Sequence, residues 1–139
     1  MLMPGLGFKK IQNLEKYTNL KSIWLECNGI QRIENLGHLT KLRMLYLHQN
    51  SIERIENLES LVNLVTLNLS YNRIKRIENL HSLPQLKNID LSHNIIGGSE
   101  PNPLDCIEEL KLCTHLTSVD LSHNIIDCET GLVEFFEPI

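Results

Sequence analysis

The chain has 139 residues, of which 42% are apolar and only 5% aromatic, so its core must be built mainly from aliphatic side chains. Its formal net charge of −4 argues against nucleic acid or an anionic membrane as the main partner, since both require a cationic surface. No apolar run reaches the roughly 18 residues that cross a bilayer, and residues 1–10 lack the basic start, apolar stretch and cleavage site of a signal peptide.

Residues 1–19 carry an incomplete copy of a unit that the following residues contain in full. Met1 and Met3 stand 22 residues before Ile23 and Leu25, and the apolar residues at 11, 14 and 17 stand 22 before those at 33, 36 and 39. We therefore expect a degenerate N-terminal repeat over residues 1–19.

The full unit begins at Leu20 and reads Leu-x-x-Ile-x-Leu-x-x-Asn-x-Ile-x-x-Ile-x-x-Leu-x-x-Leu. The alternating apolar residues suit a strand that is buried on one face. The Asn amide can pair with backbone groups that would otherwise be buried alone, and apolar residues at every third position suit 3₁₀ turns. The copies start 22 residues apart, except that the last starts 30 after the fourth, and they cover residues 20–41, 42–63, 64–85, 86–115 and 116–139.

A fixed period of this length is the signature of a solenoid, in which each repeat buries its apolar face against the next. The predicted fold belongs to the α/β class. It is a right-handed leucine-rich-repeat solenoid with a concave parallel β-sheet and short 3₁₀ or helical segments on the convex side. We expect a single domain over residues 1–139.

The tract Arg-Ile-Glu-Asn-Leu occurs three times, at residues 32–36, 54–58 and 76–80. Stacking the repeats places the three arginines in one column and the three glutamates in another. Solvated ion pairs of this kind contribute little to stability. We interpret the ladder as a charged, solvated edge rather than a recognition site.

The strand alternation predicts which side chains cover the concave face. They form a central column (Trp24, Tyr46, Asn68, Asp90, Asp120), a second column (Ser22, Met44, Thr66, Asn88, Ser118) and a third column (Glu26, His48, Ser70, Ser92, Ser122). Exposed Trp and Tyr are favoured anchors of protein interfaces. An alternative is that the two rings stack on each other and only cover the open end of the sheet. The predicted protein-binding residues are Trp24, Met44, Tyr46, His48, Asn68, Asp90 and Asp120.

The character of this face changes along the stack, from aromatic and apolar at its N-terminal end to acidic and hydroxyl-bearing at its C-terminal end. Asp90 and Asp120 are predicted to be cross-strand neighbours, where like charges destabilise a sheet slightly. That arrangement suggests a cationic group on the partner.

Residues 97–105 interrupt the period between the fourth and fifth repeats. Gly97 and Gly98 predict a turn, Pro101 and Pro103 predict a loop, and the apolar residues that follow predict a convex helix of about two turns. We interpret the segment as a tolerated surface insertion, with a lip that contacts a partner as the alternative. Because no strand follows the fifth repeat and terminal repeats need a cap, we expect a fragment or a partner-covered edge.

The tract Asp-Leu-Ser-His-Asn occurs at residues 90–94 and again at 120–124, which raises the question of a catalytic triad or a metal site. Strand alternation opposes a triad, because Asp90 and Ser92 point one way and His93 the other. His93 and His123 could stack, but two ligands without a third make a weak metal site. We therefore expect no enzymatic activity, no metal and no cofactor.

The four cysteines, Cys27, Cys106, Cys113 and Cys128, show no CxxC pairing. We expect them to fill gaps in the core. Their spacing predicts a reduced, intracellular setting rather than a disulfide framework.

The repeat resembles those of the protein phosphatase 1 nuclear regulatory subunit and its relatives. A narrower resemblance, to the dynein axonemal assembly factor 1 family, covers nearly the whole chain. It rests on residues 8–18, on the Trp-Leu-Glu-Cys-Asn tract at residues 24–28, and on the stretch from Cys113 to Asn124. The tract at 24–28 is the more specific part, whereas the insertion at 97–105 departs from the family pattern.

This resemblance implies a non-enzymatic factor for the cytoplasmic assembly of axonemal dynein arms in a ciliated or flagellated cell. Its implied partners are axonemal dynein subunits or assembly chaperones. Family members carry further sequence after the repeats, and functions located there are not expected of this chain. Two alternatives stay open: a regulatory subunit that binds the protein phosphatase 1 catalytic subunit, and a structural component located in the axoneme of the cilium or flagellum.

Overall fold

The computed structural model describes residues 1–98 and 105–126, and it confirms the predicted parallel sheet arranged as a solenoid. The order of the strands in the sheet follows their order in the chain, and each strand pairs in parallel with the next. The strands are β1 (Ser22–Trp24), β2 (Met44–Tyr46), β3 (Thr66–Asn68), β4 (Asn88–Asp90) and β5 (Ser118–Asp120).

The core lies behind the sheet and is aliphatic. The middle residue of each of the first four strands is buried, and Ile23, Leu45 and Leu67 are fully buried. Among the described residues, the buried apolar side chains are leucines and isoleucines, joined only by Cys106. In these four strands the alternation therefore works as predicted, because each places one side chain in the core and its two neighbours on the opposite face.

The Asn that follows each strand satisfies the backbone at the edge of the sheet. The side-chain nitrogen of Asn72 donates to the carbonyls of Leu47 and Leu69 at 3.0 Å and of Ser70 at 3.2 Å. Its side-chain oxygen accepts from the amide of Ile52 at 2.9 Å. Equivalent bonds are made by Asn28, Asn50, Asn94 and Asn124. The ladder confirms the predicted role of this position.

A second asparagine ladder runs along the convex side. Asn35, Asn57 and Asn79 adopt left-handed backbone conformations, with φ of 59°, 59° and 64°. Asn tolerates this region better than most residues. Each side-chain amide donates to a carbonyl of the preceding repeat at 2.7–2.8 Å, on Ile11, Ile33 and Ile55 respectively. The Asn of the Arg-Ile-Glu-Asn-Leu tract is therefore a structural residue.

The charged residues of the same tracts form the predicted exposed ladder. Arg32 pairs with Glu56 and Arg54 pairs with Glu78, each at 3.0 Å. The arginine side chains are 66% and 65% exposed, so water screens both pairs. A third arginine, Arg76, donates to the carbonyl of Asp105 at 3.3 Å.

The N-terminal segment extends the hydrogen bonding of the sheet beyond β1. Leu2 forms an isolated parallel bridge with Trp24. The amide of Trp24 donates to the carbonyl of Met1 at 2.9 Å, and the amide of Met3 donates to the carbonyl of Trp24 at 2.8 Å. Met1 and Met3 pack against the core, while Leu2 is exposed beside Trp24.

The turn that follows Ile96 within the fourth repeat requires a glycine. Gly97 has a φ of +96°, and a Cβ there would lie 2.8 Å from the carbonyl oxygen of Ile125 and 3.0 Å from the Cα of Ile126. Both the backbone conformation and the space therefore exclude a side chain. Residues 99–104, which include most of the predicted insertion, lie outside the described part.

The helix predicted after the insertion is a 3₁₀ helix. It spans the five residues Glu108–Leu112, which at three residues per turn is close to the expected two turns. Ile107 and Leu110 are buried and Cys113 packs against the core, so the apolar residues recur at every third position. That spacing aligns side chains on a 3₁₀ helix rather than on an α-helix.

The expectation that the cysteines fill the core is only partly correct. Cys106 is fully buried and Cys113 is half-buried, but Cys27 is exposed. Cys27 directly precedes the repeat residue Asn28 and has a left-handed backbone conformation, with φ of +57°. Cys128 and the rest of the back half of the fifth repeat, residues 127–139, lie outside the described part.

Candidate protein-binding face

The strand register places the central column of predicted residues side by side. Cα partners join each strand to the next through this column, and the partners are Trp24, Tyr46, Asn68, Asp90 and Asp120 in order. Met44 lies on the same face of β2, two residues before Tyr46, and His48 follows two residues after it. We call the outward side chains of the three columns the concave face.

The N-terminal end of the concave face is aromatic. The rings of Trp24 and Tyr46 stack with their centroids 5.5 Å apart and their planes 8° apart. His48 meets the Tyr46 ring edge-on at 6.5 Å, and the Tyr46 hydroxyl lies 3.9 Å from the sulfur of Met44. All four side chains are half-buried, and Leu2 beside them is 71% exposed. The surface is thus apolar, accessible and held in place by its own contacts.

Two buried polar atoms beside this aromatic end have no hydrogen-bond partner. They are the Oε2 atom of Glu26 and the Nδ1 atom of His48. Glu26 and His48 occupy the same column on neighbouring strands. Buried polar atoms are nearly always satisfied in native structures, so each unpaired one calls for an explanation.

The C-terminal end of the concave face is organised by side chains that bond to the residue two positions later. The Oδ1 atom of Asp90 accepts from the amide and the hydroxyl of Ser92, at 3.0 and 2.7 Å. Asn68 accepts the same two bonds from Ser70, and its amide nitrogen donates to the Oδ2 atom of Asp90 at 3.2 Å. Ser70 and Ser92 are consequently buried, at 4% and 7% exposure. Both serines thus lie on the concave side, as predicted for their column, but these bonds cover them.

Asp120 carries the same arrangement at the last strand. The hydroxyl and the amide of Ser122 hydrogen-bond the carboxylate, and His123 and His93 add a weaker attraction, so the pKa of Asp120 is lowered. The Ser122 amide lies 2.9 Å from the Oδ1 atom. Asp120 is therefore ionised at neutral pH, next to Asp90 in the sheet.

The charge on this face is one-sided. The fifteen positions of the three columns hold Glu26, Asp90 and Asp120 but no lysine or arginine, although the chain has 13 basic residues. Within residues 1–98 and 105–126, the hydrogen-bond donors to the carboxylate of Asp90 are neutral groups. The face therefore presents a net negative charge beside an aromatic surface.

A stack of three rings lies along the edge of the sheet, and the sequence analysis foresaw only its His93–His123 pair. Tyr71 and His93 stack at 4.0 Å, and His93 and His123 stack at 4.0 Å. The three rings occupy the left-handed position before each repeat Asn, a column shared with Cys27 and Gln49. Following the 22-residue period through that column, and not only through the strands, would have found Tyr71.

In the two Asp-Leu-Ser-His-Asn tracts, the His side chain lies apart from the Asp and Ser side chains. His93 lies in the ring stack, whereas Asp90 and Ser92 bond to each other on the other side of the strand. The three groups do not converge, as predicted. Among the described residues, no group of three or more His, Cys, Asp or Glu could hold a metal ion. Nor is any helix in residues 1–98 or 105–126 long and apolar enough to cross a membrane.

Solved structures with the same architecture include proteins from bacteria and insects. An internalin (inlF) of Listeria monocytogenes is 29% identical, with a TM-score of 0.75, over 86% of this chain and 34% of its own. Internalin C2 from that bacterium is 29% identical, with a TM-score of 0.71, over 87% and 50%. This chain thus spans about a third and a half of these two internalins.

A chain of the SNF/U2A′ complex of Drosophila melanogaster is also similar. It is 25% identical, with a TM-score of 0.72, over 88% of this chain and 72% of its own. A comparison with curated proteins finds no match. The model of the family described as leucine-rich repeats (2 copies) matches residues 18–60, 40–80 and 62–111, about two thirds of the chain. The protein is a member of the leucine-rich repeat family.

Proposed function

We propose that this protein is a non-enzymatic scaffold that binds a protein partner on its concave face and serves the cytoplasmic assembly of axonemal dynein arms. The observation that carries the binding function is the accessible Trp24–Tyr46 stack, which shares one face with an uncompensated acidic end. The axonemal role is supported by the resemblance of residues 24–28, and it is the more specific part of the proposal.

The geometry of the aromatic end favours binding. Trp and Tyr anchor interfaces effectively because they supply a large contact area and have few rotatable bonds. Here the stacking of Trp24 on Tyr46 restricts both rings before a partner arrives, so less conformational entropy is lost on association.

Similar repeat structures support the same conclusion. The Drosophila chain of similar structure was solved as part of the SNF/U2A′ complex. Leucine-rich repeats form surfaces that bind proteins, and a solenoid builds few enclosed pockets for chemistry. In this chain the Asp, Ser and His side chains that could act together in catalysis lie on different sides of the sheet.

The proposal is tested by affinity capture from the cytoplasm of flagellated cells, with bound proteins identified by mass spectrometry. The baits are the wild-type chain, a Trp24→Ala/Asp90→Lys variant of the concave face, and a matched control. The control is Arg54→Ala in the exposed Arg–Glu ladder on the convex side, which we call the convex ladder. Circular dichroism first checks that all three baits are folded.

We expect dynein heavy or intermediate chains, or assembly chaperones, with the wild type and the control but not with the concave-face variant. Capture of the protein phosphatase 1 catalytic subunit instead would favour the regulatory alternative. Identical protein lists from all three baits would refute binding through the concave face. A tagged protein found in the axoneme rather than the cytoplasm would favour the structural alternative.

A further inference from the structure

We infer that the concave face receives an α-helix of the partner protein, with a large apolar side chain followed on the same helix face by basic side chains seven and eleven residues away. This inference rests on the proposed function, because it names the chemistry of the partner that the concave face would bind.

The dimensions of the face favour a helix. Each strand contributes three residues, which span about 10 Å, close to the roughly 10–12 Å diameter of an α-helix with its side chains. The strand backbones are paired with one another, so the face offers only side chains. An extended segment would lie there with most of its own backbone groups unpaired, whereas a helix satisfies them internally.

The spacing between the aromatic and acidic ends sets the positions on the helix. Tyr46 in β2 is two strands from Asp90 and three from Asp120, or about 10 Å and about 14 Å at the usual strand separation. On an α-helix, seven residues rise about 10 Å and eleven residues rise about 16 Å, and both positions return to nearly the same face as the first. The long side chain of arginine or lysine takes up the remaining difference.

The charge of the face selects basic residues. Asp90 and Asp120 are adjacent, and among the described residues no lysine or arginine hydrogen-bonds or pairs with either one. Ser122 is the only described residue that hydrogen-bonds Asp120, so much of that carboxylate is free to accept from a partner. A guanidinium could bond it through two nitrogens and would relieve the repulsion between the two aspartates.

Three helix-stabilised peptides of equal length test this inference, with binding followed by fluorescence anisotropy. The first carries Trp at position i and Arg at i+7 and i+11. The second moves the arginines to i+5 and i+9, on the opposite side of the helix, and the third replaces them with Glu. Each is titrated with the wild type, with Asp90→Asn/Asp120→Asn, and with the convex control Arg54→Ala.

The Asn substitutions remove charge while keeping the fold. Asn68 already occupies the equivalent position of β3 and accepts the same two bonds from Ser70 that Asp90 accepts from Ser92. The expected result is that the first peptide binds the wild type about tenfold more tightly than the second, and that the double Asn variant removes this difference. The Arg54→Ala control should match the wild type.

Any one of three results would overturn the inference. The first two peptides bind equally, the double Asn variant binds the first peptide as tightly as the wild type does, or the first peptide does not bind at millimolar concentration. If affinity capture still depends on the concave face in that case, the scaffold function stands and only the helix chemistry is wrong. If the concave-face variant captures the same proteins as the wild type, the proposed function itself fails. Self-association of the chain that excludes the first peptide would assign the face to a second copy instead.

Discussion

The 22-residue repeats and the longer repeat between β4 and β5 share their strand-side bonding and differ on the convex side. Asn124 follows Asn94 by 30 residues, yet its amide donates to the carbonyl of Leu91 at 2.9 Å and its oxygen accepts from the amide of Ile96 at 3.0 Å. Asn72 makes the same bonds in a regular repeat. The strand and its Asn therefore hold the stack in register despite the extra length of this repeat.

On the convex side, the longer repeat uses the carboxylate of Glu109 where the regular repeats use the side-chain amide of an asparagine. Glu109, on the 3₁₀ helix, accepts from the backbone amides of Asn79, Leu80 and His81, and it also contacts the His81 ring at 2.9 Å. Burial alone would raise the pKa of Glu109, but these hydrogen bonds outweigh it and the pKa is lowered. Burial, followed by the nearby Glu109 charge, raises the pKa of the Cys113 thiol to about 11.

The two regions also differ in how completely they bury their strands. Leu67, in the middle of β3, is fully buried, whereas Val119, in the middle of β5, is 37% exposed. Each repeat covers the one before it, so a strand inside the regular stack is packed on both sides. The contribution of equivalent residues to stability should therefore fall from β3 to β5.

The largest effect is expected for Leu67→Ala. Truncating a fully buried leucine leaves a cavity and should lower the free energy of unfolding by about 2–5 kcal/mol, as measured by urea denaturation. Val119→Ala is the matched variant, and it should cost much less because its side chain is already partly in water. Equal losses from the two variants would mean that β5 is packed as tightly as β3.

A smaller loss is expected for Asn72→Ala. This side chain is 8% exposed and satisfies three carbonyls and one amide, so its removal leaves buried backbone groups unpaired. The expected cost is about 1–3 kcal/mol. Asn124→Ala removes equivalent bonds at a half-buried site and should cost less, because water can replace some of them. The comparison fails if thermal melting shows the Asn124 variant to be the less stable of the two.

Glu109→Gln should have a smaller effect that depends on pH. Its side chain is 16% exposed and its charge-assisted bonds are partly screened, so a loss of about 1 kcal/mol is expected near neutral pH. Because the pKa is lowered in the folded state, the stabilisation is complete above the ordinary carboxyl range and is lost as pH falls through the lowered value. Denaturation curves from neutral to acidic pH should converge for the wild type and the variant.

The regular part of the molecule could be predicted from its sequence because each position is repeated. The same residue types recur at Ile23, Leu45 and Leu67, so the strand register and the columns of the concave face followed from the period. The burial of Ser70 and Ser92 did not follow from it. Their exposure depends on hydrogen bonds to Asn68 and Asp90, which alternation does not describe.

The longer repeat was harder to predict because nothing in the chain repeats it. The role of Glu109 depends on backbone amides about 30 residues away, and no local pattern indicates that contact. The stack of Tyr71 on His93 was missed for a different reason. Both residues stand in the left-handed position before an Asn, outside the strand pattern used to choose the site.

The smallest effect is expected for Arg54→Ala, in the convex ladder of the regular repeats. Arg54 donates to Glu78 at 3.0 and 3.2 Å, yet its side chain is 65% exposed and water can take over both bonds. No measurable change in melting temperature is expected at physiological salt, because exposed pairs of this kind are strongly screened. A clear loss that grows at low salt would show that the stacked pairs act cooperatively. The convex ladder would then join the two asparagine ladders in holding the regular repeats together.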